Sequence, residues 1–126
     1  MGRRTWWLAF AACGAFAVVA SFAAYVGGVP EILSRTNLDK ALHFAMGALL
    51  TGTLDGALRH RSVTKTGSLA HIPLSSVLVL TPVGIEEYLQ RFAEGRTSSI
   101  EDFAADALGV FAGILFARGL TRLRST

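Results

Sequence analysis

An all-α integral membrane bundle of four helices is the fold class this sequence predicts, on three observations. Hydrophobic residues make up 52% of the 126 residues and charged residues only 17%, against about a quarter charged in soluble domains. The apolar residues come in long blocks, which is the membrane pattern and not the amphipathic one. Lys and Arg collect between alternate blocks, as positive-inside loops do. One domain is the default at this length. The net charge of +3 is spread between blocks and not along one stripe, so nucleic-acid binding is excluded as an explanation.

The predicted helices cover about 6–29, 38–58, 72–90 and 99–120 of this single domain. Segment one, Trp6 to Val29, contains no charge. At about 1.5 Å per residue it reaches roughly 36 Å, enough for a bilayer core of about 30 Å. Arg3 and Arg4 precede it, and Trp6 and Trp7 stand where an aromatic belt would lie. A cleaved signal peptide, with Ala20-Ser21-Phe22-Ala23 as cleavage region, is the rival reading. The run exceeds the usual apolar region of about 7–15 residues, which favours a retained helix. Cys13, the single cysteine, lies inside the run and reads as a small buried hydrophobe. Pro30 ends the helix, and Asn37 is placed to cap the next.

Segment two carries Asp39, Lys40 and His43 in its first two turns and Asp55 near its far end, where Asp55 reads as interfacial. Arg59 to His71 is basic and reads as a loop. Segment three has a short apolar core, Leu74 to Ile85, bent by Pro82 and Gly84, with Glu86, Glu87 and Gln90 at its end. Segment four opens with capping-box spacing at Ser98/Glu101 and Ser99/Asp102, and the chain ends with Arg118, Arg122 and Arg124. The positive-inside rule places both termini and the 59–71 loop in the cytoplasm of a multi-pass membrane protein.

This topology brings the start of helix two, the end of helix three and the start of helix four to one depth at the outer boundary. The candidate ligand-binding residues are Asp39, Lys40, His43, Glu87, Gln90, Arg96, Asp102 and Asp106. Asp39 and His43 share a face at i, i+4, which Gly47 continues. Asp102, Asp106, Gly109 and Gly113 form a second stripe, with Gly109 and Gly113 in a GxxxG packing motif. Ionisable groups inside such a bundle usually mark a pathway, relay or site. Lys40 could instead snorkel to the interface. Glu86, Arg91 and Glu94 read as solvated rim.

The order Asp39-Lys40-x-x-His43-Phe44, Glu87-x-x-Gln90, Gly95-Arg96-x-x-Ser99 and Asp102-x-x-x-Asp106-x-x-Gly109 resembles the VanZ-like family of small bacterial membrane proteins. The likeness spans Leu38 to Gly113. Asn stands in many members where this chain has Asp106, which points to hydrogen bonding there more than to proton transfer. The resemblance implies a four-helix integral membrane protein. The family's named member is associated with low-level teicoplanin resistance, so an envelope precursor or a glycopeptide enters as an expected partner beside membrane lipids.

Three functions fit the residues. In the first, the protein binds an envelope lipid headgroup or lipid-linked precursor, with Lys40 and Arg96 on phosphate and Asp39, His43, Glu87 and Asp106 as hydrogen-bond frame. In the second it is a membrane enzyme acting on a phosphate- or acyl-bearing lipid. His43 is then the general base, oriented by Asp39 or Glu87, or these groups ligate a divalent ion. The third is purely structural, a buried polar network or assembly subunit. No HExxH, GxSxG or P-loop is present, which weighs against an enzyme. Cofactor and metal are expected to be absent, given no Cys/His ligand spacing.

Overall fold

The chain's uninterrupted apolar periods form four α-helices in the computed structural model, which describes residues 2–27, 38–92 and 100–126. They are α1 (Arg3–Tyr25), α2 (Leu38–Ala57), α3 (Leu74–Gln90) and α4 (Ile100–Arg124), with one 3₁₀ turn at Ser68–His71. No strand occurs among the described residues; one isolated bridge joins Ser62 and Pro73.

The helix limits differ from expectation for local reasons. α1 begins earlier, with Arg3 and Arg4 inside its first turn, and ends at Tyr25 instead of Val29. Gly27, at φ 77°, turns the chain there in a conformation that glycine adopts without penalty. α3 starts two residues late because Pro73 takes the N-cap position, where its missing N–H is no loss. Pro82 lies inside α3 without ending it. α4 runs on through Arg122 to Arg124, since basic residues suit a helix C-terminus. The proposed caps Asn37, Ser98 and Ser99 lie outside the described residues.

The 59–71 stretch is more ordered than a plain loop. Arg59 and His60 both take left-handed φ, 55° and 59°. This lets the His60 N–H close α2 on Asp55 O at 2.9 Å, the pattern of a Schellman cap. Val63 N–H then donates to Ile72 O and Leu74 N–H to Arg61 O, each at 2.9 Å, tying the loop's two ends together.

Antiparallel contacts set the topology. Trp6 lies on Gly56, and Asp55 meets Ser75 and Arg118, so the starts of α1 and α3 share one end with the ends of α2 and α4. α2 is central and packs most closely on α4. Small residues make that approach possible. A Cβ on Gly47 would stand 2.6 Å from the Asp106 carbonyl oxygen, and one on Gly109 or Gly113 would strike the backbone of Phe44 or Ala48.

The buried apolar core is small: Leu54, Val79, Val110 and Ile114, flanked by Ala57 and Ala117. Large apolar side chains point outward instead, including Phe16, Phe22, Phe111 and Phe116. Two helices, α1 and α4, are long and apolar enough to cross a membrane; none of the most apolar stretch of α1 is buried, and a third of that of α4 is.

Candidate functional site

The interhelical contacts sort the charges by end. Asp39, Lys40, Glu86, Glu87, Glu101, Asp102 and Asp106 lie at the end where α2 and α4 begin and α3 finishes. At that end Lys40 pairs with Glu101, and Ser21 of α1 donates to Glu86. Arg3, Arg59, Arg61 and Arg118 lie at the other.

His43 is the centre of the acidic end. Its Nδ1 stands 3.1 Å and 3.2 Å from the two carboxylate oxygens of Asp106, and its Nε2 is 3.8 Å from Asp39 Oδ1, one turn back on α2. Asp106 is buried. A carboxylate facing Nδ1 keeps a proton on that nitrogen, so Nδ1–H donates to Asp106. Gly47 positions the pair: it brings the α4 backbone at Asp106 close to α2, one turn below His43.

These residues open on a cavity of about 230 Å³. Its polar rim is Asp39, His43, Glu86, Glu87, Gln90 and Asp106, with Ser21; its walls are apolar, among them Ala17, Leu42, Met46, Leu50, Val79, Val83 and Val110. All four helices contribute. Four carboxylates surround one imidazole, and no Lys or Arg among the described residues lines the space. That composition suits hydroxyl or amine donors and repels a bare phosphate.

Of the eight expected ligand-binding residues, Asp39, His43, Glu87, Gln90 and Asp106 line the cavity. Asp102 does not, though its carboxylate lies within 4.8 Å of ligand atoms of Asp39 and His43. Lys40 is corrected: its ammonium turns outward to Glu101. Successive helix positions differ by about 100°, so with Asp39 facing the cavity Lys40 faces the start of α4. Arg96 and Glu94 lie outside the described residues.

Glu86 is corrected in the other direction. It is not solvated rim but a cavity residue, accepting from Ser21 and from Gln90 Nε2 at 3.4 Å. Ser21 was missed altogether. Its signal is that it is the one serine in an otherwise apolar run.

Asp55, read as interfacial, is fully buried between the helices. Its carboxylate accepts from His60 Nδ1 at 2.6 Å, Ser75 Oγ at 2.9 Å, and Arg118 Nε and Nη2 at 3.2 Å and 3.4 Å. His60 Nε2 reaches Thr121 Oγ1 at 3.0 Å. The loop folding back over the end of α2 closes water out, which position along a helix does not reveal. Between the two polar clusters, Thr51 is buried with no partner for its Oγ1 among the described residues.

Two chemistries are open to the acidic end. His43 Nε2 can accept a proton with Asp106 behind it, the arrangement of an oriented general base. One ligand atom each from His43, Glu87 and Asp106 also lies within 4.8 Å of the others, a donor set that a divalent first-row ion accepts.

Compared with protein-family models, with curated proteins and with solved structures, the chain matches none.

Proposed function

We propose that this chain is a four-span, VanZ-like protein of the bacterial cytoplasmic membrane that binds the polar headgroup of an envelope lipid or lipid-linked precursor at its His43-centred cavity. The observation that carries this reading is a hydrogen-bonding rim set on apolar walls. At about 230 Å³ the space lies just under the usual range for small-molecule sites, about 300–1,000 Å³, so it suits a headgroup and not a whole lipid. The rim's carboxylates favour hydroxyl- or amine-bearing headgroups over a bare phosphate.

The membrane assignment draws on the outward apolar side chains, on the two long apolar helices and on the separation of charge. With the basic end inside, both termini are cytoplasmic and the cavity faces outward. α1 supplies Ala17, Ala20, Ser21 and Ala24 to the cavity wall, which supports a retained helix over a cleaved signal. On the family likeness, a link to teicoplanin resistance would appear as altered susceptibility on deletion.

The test is to extract the protein in native-lipid discs and identify the co-purifying lipids by mass spectrometry. A headgroup class enriched with wild type should fall about tenfold or more in His43→Ala and Asp106→Ala, the loss of a charged hydrogen-bond partner, with the unfolding temperature of each variant measured as the check on its fold. The same lipid profile in all three proteins, or recovery in the soluble fraction, would refute the reading.

The His43–Asp106 pair also favours a second reading, a lipid-modifying enzyme with Nε2 as general base and Asp106, not Asp39 or Glu87, as the orienting group. Turnover lost in a folded His43→Ala protein would select it.

A further inference from the structure

The basic end carries a second pocket, of about 90 Å³, lined by Arg3, Ala57, Leu58, Arg59 and Arg61. Its three arginines come from two parts of the chain. Arg3 opens α1, and Trp6, one turn on, lies against Gly56, which holds that turn beside the end of α2. Arg59 and Arg61 follow α2 directly, in the turn whose left-handed residues are Arg59 and His60. Neighbouring groups do not neutralise them. Asp55, the acid at this end among the described residues, is committed to His60, Ser75 and Arg118, and no carboxylate among the described residues pairs with Arg3, Arg59 or Arg61.

The three arginines, all exposed, line one small space, so their positive charges repel one another and an anion held among them relieves that repulsion. Arginine offers paired N–H donors that match the oxygens of a phosphate. Ala57 and Leu58 add an apolar flank on one side. We propose that this pocket binds a phosphate group, carried by an anionic phospholipid of the leaflet at the basic end. The site is separate from the His43 cavity at the opposite end; only its lipid source rests on the membrane assignment made above.

The test uses the full chain purified in an uncharged maltoside detergent. Binding of dihexanoyl phosphatidic acid, dihexanoyl phosphatidylcholine and inorganic phosphate is followed by the fluorescence of Trp6 and Trp7, and the unfolding temperature of each unliganded protein checks its fold. Phosphatidic acid should bind most tightly. Its affinity should drop at least about tenfold in Arg59→Gln/Arg61→Gln, the removal of two charge-assisted donors. It should hold within about twofold in Arg122→Gln/Arg124→Gln, which loses the same charge at the tail of α4 and sets the scale of unspecific attraction. Arg3→Gln alone, on an exposed side chain, gives a milder variant should the double one fail to fold, and it should weaken binding too. Equal loss in both double variants, or none in Arg3→Gln, would overturn the site. Inorganic phosphate binding as tightly as phosphatidic acid would overturn the lipid as its source. His43→Ala should leave this binding unchanged while changing the co-purified lipid, so the two sites fail separately.

Discussion

Replacing Asp55 with alanine should destabilise the protein by about 3 kcal/mol. Breaking a buried ion pair by removing one partner typically costs about 3–5 kcal/mol, since the other charge is stranded. Here the Arg118 side chain is 33% exposed and that of His60 27%, so both can recruit some water and the cost falls at the low end. Ser75 is fully buried and cannot, which adds the penalty of an unpaired hydroxyl. Asp55→Asn keeps an acceptor for Ser75 and the same volume, and should cost less, about 1–2 kcal/mol. Trp6 lies on Gly56, the residue next to Asp55, so its fluorescence reads this end directly. Urea unfolding in maltoside, followed by that signal, should shift the wild-type equilibrium roughly a hundredfold in Asp55→Ala. An alanine variant within about 0.5 kcal/mol of wild type, the range of ordinary surface substitutions, would refute the claim that this carboxylate fastens α2, α3, α4 and the loop together.

Gly109→Ala and Gly113→Ala should each lower stability by about 1–3 kcal/mol, the usual cost of overpacking, because the added methyl meets the α2 backbone. Gly119→Ala, with nothing within 4 Å of the added carbon, should be neutral or gain up to about 1 kcal/mol from helix propensity; thermal unfolding of the three variants distinguishes packing from propensity. Lys40→Ala breaks an exposed ion pair whose side chains are 44% and 69% exposed, and should leave the unfolding temperature close to that of wild type and the co-purified lipid unchanged. A clear change in lipid content would return Lys40 to the site.

What could be read from the sequence is what the helical period carries. Spacing of three and four puts His43 and Gly47 on one stripe and Asp106, Gly109 and Gly113 on another, and in the structure these stripes face each other. Charge counts separate the two ends for the same reason: they depend on position along each helix, not on rotation about it. Rotation of one helix against another is carried by no local pattern. Ser21 and Glu86 meet only because α1 turns that face toward α3, and Lys40 is aimed at Glu101 by the angle of α4 against α2. Asp55 is hidden for a third reason. Its burial needs a loop that folds back through two left-handed residues, neither of them glycine, so the usual turn signal is missing.

Two buried carboxylates each face a histidine Nδ1, at opposite ends of α2, and the two pairs differ in how far their polar atoms are occupied. At Asp55 the two oxygens also take Ser75 and two nitrogens of Arg118, and His60 Nε2 is occupied by Thr121. Both carboxylate oxygens and both imidazole nitrogens there have protein partners, and a ligand could reach them only by displacing one. At Asp106 the described residues offer the oxygens His43 alone, and His43 Nε2 stands 3.8 Å from Asp39, beyond hydrogen-bond reach, with an Asp102 oxygen within 4.8 Å of the ring. Among the described residues, the pair whose polar atoms are taken up fastens the fold, and the pair with atoms left open is the one proposed as a site. The cavity lies beside the unfilled one, and substitutions at the two pairs should separate accordingly, stability changing with Asp55 and occupancy with His43.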